Sequence, residues 1–141
     1  MEKKPILLGT LAYVVVTFPL AIVWHVVIFK SLYLSLGYFG GEPSFALGFL
    51  AIFSQGVLLS VGYPFLTLSG APVVRGLKYA LFMGVFFWTS HVIAYAAKNP
   101  LSNAAQFYVL ETLYLCFQFG IYGVLIGRIY GMKKGPSGSR R

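Results

Sequence analysis

Residues 5–29, PILLGTLAYVVVTFPLAIVWHVVIF, contain no Lys, Arg, Asp or Glu. A helix needs roughly 20 apolar residues to cross the hydrocarbon core of a bilayer, and this run is long enough. Three further runs carry at most one charged residue each: 31–74, 79–97 and 99–127. The sequence therefore predicts an all-α fold, a four-helix transmembrane bundle with helices at about 6–29, 45–67, 77–97 and 104–130.

The first run follows the basic start MEKK, as the apolar region of a secretory signal peptide would. Its apolar region is too long for a signal peptide and no small-residue cleavage site follows it, so we expect an uncleaved signal anchor. We expect residues 1–132 to form a single four-span domain, followed by a basic tail at 133–141.

The positive charges are sorted between the connections. Of 11 Lys and Arg residues, all but Lys30 and Lys98 lie at the two ends of the chain or in the middle connection: Lys3, Lys4, Arg75, Lys78, Arg128, Lys133, Lys134, Arg140 and Arg141. Cytoplasmic loops of membrane proteins carry this excess, which predicts that both termini are cytoplasmic. The net charge of +8 then reflects topology, with the lipid bilayer and not nucleic acid as the partner.

Three ionisable residues lie inside the predicted spans: His25, His91 and Glu111. Such residues are costly in hydrocarbon and often mark functional sites. By the rise of an α-helix they lie about 7–8 Å, 10 Å and 12 Å from the outer ends of three different helices. A shared depth in the outer half of the membrane predicts that they belong to one polar site.

Helical spacing adds polar and aromatic residues to this site. Tyr114 and Gln118 share the Glu111 face of the fourth helix, and Trp88 and Tyr95 share the His91 face of the third. Gln55 lies on a glycine-flanked face of the second helix, and Trp24 adjoins His25. The predicted ligand-binding set is His25, His91, Glu111, Gln55, Gln118, Trp24, Trp88, Tyr95 and Tyr114. Each histidine, taken singly, is more readily explained as a structural hydrogen-bonding residue between helices, and their shared depth is what favours a site.

Several functions would use this set, and no cofactor is the simplest expectation. The leading hypothesis is a cavity that binds or transports a small molecule or ion. A metal-dependent membrane enzyme is the alternative, with zinc or iron held by His25, His91 and Glu111, or a haem held by the two histidines. A third hypothesis is an assembly or scaffold subunit without a ligand.

Two other chemistries lack support in the sequence. Cys116 is the only cysteine, so the chain has no intrachain disulfide and no Cys pair for a redox or zinc motif. Ser90 adjoins His91 in sequence, but neighbours on a helix do not face each other, so nucleophilic catalysis is not indicated. Whether the protein is an enzyme stays open at this point, with binding or transport favoured.

Glycines recur every four residues in the fourth helix, at Gly123, Gly127 and Gly131. Small residues on one stripe let two helices approach closely. The stripe can pack within the bundle or between protomers, and the second case predicts a homo-oligomer.

A short internal similarity relates the first and third helices. HVVIF at 25–29 resembles HVIAY at 91–95, and each is followed by a Gln in the next helix. Two parallel hairpin repeats would give this pattern, although chance similarity between apolar helices explains it equally well.

Longer stretches resemble a family of small bacterial four-span membrane proteins of unknown function. They are FPLAIVWHVVIF, LYLSLGYFGGEPSFALGFLAIFSQG, YP at 63–64, and ETLYLCFQFGIYGVLIGRIYG. The most specific parts are Trp24-His25, Glu42-Pro43, Gln55-Gly56 and Glu111. The resemblance covers nearly the whole chain and implies four spans in a bacterial inner membrane, but no activity.

Overall fold

The computed structural model describes residues 2–132, and this part of the chain is helical without any strand. Its elements are α1 (Lys3–Ala21) with a π-helical continuation (Ile22–Ile28), α2 (Lys30–Ser35), α3 (Phe45–Gly62) with a 3₁₀ turn (Tyr63–Phe65), α4 (Pro72–Trp88) with a π-helical continuation (Thr89–Ile93), α5 (Ala94–Lys98) and α6 (Ala104–Gly131). The predicted all-α class is confirmed. The predicted basic tail, residues 133–141, lies outside the described residues.

Local sequence explains where the long helices begin. The Ser44 hydroxyl accepts the Leu47 N–H at 3.4 Å and opens α3, while the Asn103 amide oxygen accepts the Gln106 N–H at 3.1 Å and opens α6. Helix α4 begins at Pro72, earlier than the predicted start near residue 77. Proline suits the first turn of a helix, because the N–H that it lacks would have no intrahelical partner there.

Four helices are long and apolar enough to cross a membrane: Lys3–Ile28, Phe45–Phe65, Pro72–Lys98 and Ala104–Gly131. Many of their large apolar side chains point outward, among them Val15, Leu58, Leu81 and Val109. Such a surface is unfavourable in water and suits contact with lipid tails. The chain is therefore a multi-pass membrane protein.

Helix α6 lies at the centre of the bundle and has buried residues along its whole length. Among residues 2–132, close packing joins α3 to α1, α1 to α6, and α6 to α4. Helices α3 and α4 do not pack closely against each other. The four spans thus form an open arc with a gap between α3 and α4, which the Tyr79 side chain crosses at one end to reach the Leu59 carbonyl.

The glycine stripe of α6 packs against α4 within the chain. A Cβ on Gly123 would lie 2.7 Å from the Cβ of Ala80, and a Cβ on Gly127 would overlap the carbonyl group of Pro72. A Cβ on Gly131 would lie 2.5 Å from the Cβ of Pro72. The stripe therefore fulfils the first of its two predicted roles, close packing inside the bundle, and homo-oligomerisation stays a prediction.

Candidate functional site

Glu111 is fully buried in the middle of the bundle, between the two histidines. Its Oε1 atom lies 3.0 Å from His25 Nε2, and its Oε2 atom lies 2.9 Å from His91 Nε2. His25 is 8% exposed as a residue, and the side chain of His91 is 39% exposed. The three ionisable residues predicted to share one depth thus form one cluster, with His91 as its accessible member.

Both histidines lie in π-helical segments that interrupt otherwise α-helical spans. His25 belongs to Ile22–Ile28, and His91 belongs to Thr89–Ile93. A hydrogen bond of 3.0 Å from the Phe29 N–H to the Trp24 carbonyl shows the wider winding of the first segment. Segments of this kind are rare and occur frequently at functional sites. They fall on the two sequences, HVVIF and HVIAY, that suggested an internal repeat.

Two consecutive hydrogen bonds lead from Trp24 to Glu111 through Tyr33. Tyr33 lies in α2, in the first connection, which joins the first and second spans. The Trp24 Nε1–H group can only donate, and it donates to the Tyr33 hydroxyl oxygen at 3.0 Å. Tyr33 in turn donates its proton to Glu111 Oε1 at 2.6 Å. Burial, and then the Glu111 carboxylate, raise the pKa of Tyr33 above its ordinary value of 10.0. Tyr33 therefore acts as a fixed hydrogen-bond donor to the carboxylate.

The surroundings of His25 fix how many protons the His25–Glu111 pair holds. The Ala21 carbonyl lies 3.0 Å from Nδ1 and can only accept, so Nδ1 carries a proton. The other ring nitrogen faces Glu111 Oε1 at 3.0 Å, a hydrogen bond that needs a second proton. This proton lies either on His25, giving an imidazolium–carboxylate pair, or on Glu111, giving a neutral pair. In both cases the pair has no net charge, which suits its burial.

A second polar cluster lies further along the bundle. The Tyr13 hydroxyl donates to Gln55 Oε1 at 3.1 Å and accepts from Gln118 Nε2 at 2.6 Å. The Thr17 hydroxyl is buried and has no hydrogen-bond partner within residues 2–132. The predicted glutamines are thus brought together through a tyrosine that lies fully buried between them.

One cavity of about 370 Å³ connects the two clusters. It lies in the gap between α3 and α4 and is closed at one end by the connection after α2. Five of the nine residues predicted to bind a ligand line it: His25, His91, Gln55, Gln118 and Tyr114. Much of the remaining lining is apolar, including Phe18, Phe39, Phe45 and Phe87. The arrangement offers a few hydrogen-bonding groups within an otherwise apolar chamber, as small-molecule sites commonly do.

The other four predicted residues lie outside the cavity lining. Glu111 lies behind the histidines, and the Trp24 indole donates a hydrogen bond to Tyr33. The Tyr95 hydroxyl donates to the Tyr38 carbonyl at 2.7 Å. The Trp88 indole donates to the Thr112 hydroxyl at 2.9 Å on an exposed face of the bundle. Trp88 thus makes its hydrogen bond outside the cluster and outside the cavity.

Three tyrosines of the site were not singled out from the sequence. Tyr33 and Tyr38 lie in the first connection, where a pattern of aromatic residues indicates a segment at the membrane interface. The structure folds them inward: the ring centres of Tyr33 and Tyr38 lie 4.7 Å and 5.8 Å from that of His25. Tyr13 lies four residues from both Gly9 and Thr17 on the buried face of α1, and this spacing is the only signal that could have found it.

The same geometry bears on the metal hypothesis for His25, His91 and Glu111. Both carboxylate oxygens are directed at imidazole nitrogens, and in the described chain no group of three His, Cys, Asp or Glu side chains is arranged to hold a metal ion. The three residues are joined to one another through hydrogen bonds. A metal ion at this position stays a prediction that would require the cluster to open.

Comparisons with protein families, with curated proteins and with solved structures found no match to this chain. The resemblance to small bacterial four-span proteins is therefore supported only by the four spans themselves.

Proposed function

We propose that this protein binds a small molecule or ion in the cavity between α3 and α4, for storage, sensing or passage across the membrane. The observation that carries the proposal is the lining of this one chamber by two histidines and two glutamines from four different helical segments. Hydrogen bonds that only hold helices together do not require a cavity beside them. The cavity therefore favours ligand binding over a purely structural role for these residues.

His91 is the residue best placed to contact a ligand. Its side chain is 39% exposed while it bonds Glu111 at 2.9 Å, so it can turn toward a ligand without breaking a fully buried contact. Glu111 would keep its bonds from His25 and Tyr33 during that exchange.

The ligand expected from this lining combines an apolar body with a few hydrogen-bonding groups. Gln55 and Gln118 can each donate and accept, and the surrounding phenylalanines favour a weakly polar or aromatic molecule. A small ion bound at the histidines alone would leave most of the chamber without contacts, so we favour an organic molecule.

We propose that both termini face the cytoplasm of a bacterial cell, which puts the cavity in the outer half of the inner membrane. The distribution of Lys and Arg supports this orientation. A Lys98→Cys probe in a Cys116→Ser background should react with a membrane-impermeant thiol reagent only from outside. Reaction only from the cytoplasm would reverse the orientation and leave the cavity proposal untouched.

Filling the chamber tests the proposed function. Gly48 lines the cavity, and a Cβ there meets nothing within 4 Å, so Gly48→Leu should fold and occupy the space. Gly120 is equally open but lines a separate recess between α4 and α6, so Gly120→Leu adds the same side chain outside the chamber and is the matched control.

The measurement is mass spectrometry of small molecules retained by the full chain purified in native lipid discs. A compound retained by the wild type and by Gly120→Leu, and lost from Gly48→Leu, is the expected result. Equal retention by all three proteins, or no specific compound in any of them, would favour the scaffold hypothesis.

A further inference from the structure

A second cavity, of about 410 Å³, lies at the opposite end of the bundle, where α1 begins and α6 ends. Its lining includes Tyr63, Thr67 and Arg75, with Glu2 and Tyr130 also present. None of these residues belongs to the Glu111 cluster or to the chamber between α3 and α4. Whatever this cavity holds is therefore independent of the function proposed above.

Two polar atoms in this lining are buried without a hydrogen-bond partner in residues 2–132: the Tyr63 hydroxyl and Arg75 Nε. Tyr63 is only 7% exposed. A buried donor without an acceptor is costly, and native proteins rarely leave one unexplained. Two of them in one cavity indicate an acceptor that residues 2–132 do not provide.

The Tyr63 hydroxyl differs from those of the two tyrosines packed against it, because both of those have an acceptor. Its ring packs 5.1 Å from the ring of Tyr79 and 4.8 Å from that of Tyr130. The Tyr79 hydroxyl donates to the Leu59 carbonyl at 2.7 Å, and the Tyr130 hydroxyl donates to the Ser60 carbonyl at 2.6 Å. Of these three packed tyrosines, Tyr63 is the one whose hydroxyl has no acceptor within residues 2–132, and it lines the cavity.

A proline explains the acceptor that Tyr130 uses. In a regular helix the Ser60 carbonyl would accept the N–H of the residue four positions later, which is Pro64 and has none. The Tyr130 hydroxyl donates to this free carbonyl. The rings of Tyr79 and Tyr130 pack against Tyr63, and the Tyr63 hydroxyl bonds neither the Leu59 carbonyl nor the Ser60 carbonyl. The position of the unpartnered group is thus built into the packing and is not a loose side chain.

The geometry points to an anion site for a phosphate group, held by the Arg75 guanidinium and the Tyr63 hydroxyl. Arginine matches the oxygens of phosphate with parallel hydrogen bonds, and charge-assisted bonds of this kind are the strong ones. Arg75 also lies in the first turn of α4, where the helix dipole favours a negative charge. Thr67 provides a further hydroxyl in the lining.

The cavity lies at the level of lipid headgroups. Tyr63 is close to the end of one candidate span, Phe45–Phe65, and Arg75 is close to the start of the next, Pro72–Lys98. The neighbouring Phe65 is 73% exposed and can insert into the bilayer. The phosphate can therefore belong to a phospholipid or to a free phosphate compound, and the chemistry of recognition is the same.

The test compares thermal unfolding of the full chain in an uncharged detergent with three probes. The probes are inorganic phosphate, with chloride at equal ionic strength as control, dioleoyl phosphatidylglycerol, and dioleoyl glycerol, which lacks the phosphate. A rise in Tm with phosphate identifies a free anion as sufficient, and a rise with the phospholipid alone identifies a headgroup. No rise with either, or the same rise with chloride or with dioleoyl glycerol, overturns the proposal.

Variants separate the site from general charge effects. Arg75→Gln should weaken phosphate-dependent stabilisation roughly 100-fold in apparent Kd, and Tyr63→Phe roughly 10-fold. Arg128 is exposed at the same end of the bundle, so Arg128→Gln removes an equal charge and should have no such effect. Glu2 adds a negative charge to the lining, and Glu2→Gln should tighten binding.

Tyr63→Phe also keeps the proposal testable if Arg75→Gln fails to fold. The hydroxyl has no protein partner in the described chain, so its loss should leave Tm unchanged or higher without the anion and remove part of the anion-dependent rise. A Tm lowered equally with and without the anion would mean that the hydroxyl is structural, and it would overturn the site.

Discussion

His25 of the first span and Glu111 of the last span meet in one hydrogen bond, which needs a single proton between them. His25 Nδ1 is committed to the Ala21 carbonyl at 3.0 Å, and its Nε2 meets Glu111 Oε1 at the same distance. The pair can therefore exist as two ions or as two neutral groups, without a change in total charge. This relationship lets the cluster link the first span to α6 without burying a net charge.

Removing the carboxylate should be one of the most damaging single changes in the bundle. Glu111→Ala leaves His25, Tyr33 and His91 without their common acceptor, and breaking such a buried network costs about 3–5 kcal/mol. Glu111→Gln keeps the shape and one acceptor oxygen, so we expect a cost of about 1–2 kcal/mol. Denaturant titration of the purified protein measures both.

Glu42 supplies the control, since it is exposed in the first connection. Glu42→Gln should change stability by less than about 0.5 kcal/mol. If Glu111→Ala were as harmless as this variant, the cluster would not hold the helices together.

The two histidines should differ in cost although they bond the same carboxylate. His25 is buried and has both ring nitrogens bonded, so His25→Ala should cost about 3 kcal/mol. His91 has one such bond and a side chain that is 39% exposed, so His91→Ala should cost about 1 kcal/mol. The same unfolding titration ranks them. The reverse order would assign the structural role to His91 and weaken its assignment as the ligand-contacting residue.

Tyr33 should matter more to stability than its position in a connection suggests. Tyr33→Phe removes a 2.6 Å bond to Glu111 and the acceptor of the Trp24 N–H group, a cost of about 1–3 kcal/mol. Tyr108 is 38% exposed, and Tyr108→Phe is the matched control, with no measurable change expected. Similar costs in the two variants would contradict the two consecutive hydrogen bonds from Trp24 to Glu111.

The raised pKa of Tyr33 adds a pH dependence to this prediction. Because its folded pKa lies above the unfolded value of 10.0, its contribution is complete below pH 10 and is lost as the pH rises through the folded pKa. The wild type should therefore lose stability above pH 10 more steeply than Tyr33→Phe. Parallel curves for the two proteins would show that Tyr33 ionises equally easily when folded and unfolded.

Much of the fold follows from composition alone. Uncharged runs such as residues 5–29 have only one stable environment, so the number of spans and their approximate bounds are fixed by length and hydropathy. The shared depth of His25, His91 and Glu111 could also be predicted, because helix rise is constant and helix ends are marked by charges or caps. These are local properties that one sequence contains.

The parts of the site that the sequence did not predict depend on tertiary contacts that no local pattern encodes. Tyr33 and Tyr38 have the composition of interface residues, yet the first connection folds inward and buries them against His25. The π-helical winding around both histidines likewise has no signature in residue type. Trp88 shares a helical face with His91 but bonds Thr112 outside the cavity, since a shared helical face does not decide which partner helix that face meets.

The packing of α6 against α4 gives the last prediction, because two glycines of the same helix provide a test and its control. A Cβ on Gly127 would overlap the Pro72 carbonyl, so Gly127→Ala forces the helices apart and should cost about 1–3 kcal/mol. A Cβ on Gly120 meets nothing within 4 Å, and Gly120→Ala should stabilise the helix by about 0.5–1 kcal/mol. Denaturant titration combined with size-exclusion chromatography measures stability and assembly together. Should Gly127→Ala instead dissociate an oligomer while leaving the monomer as stable as the wild type, the stripe would serve an interface between protomers and not the α4–α6 contact.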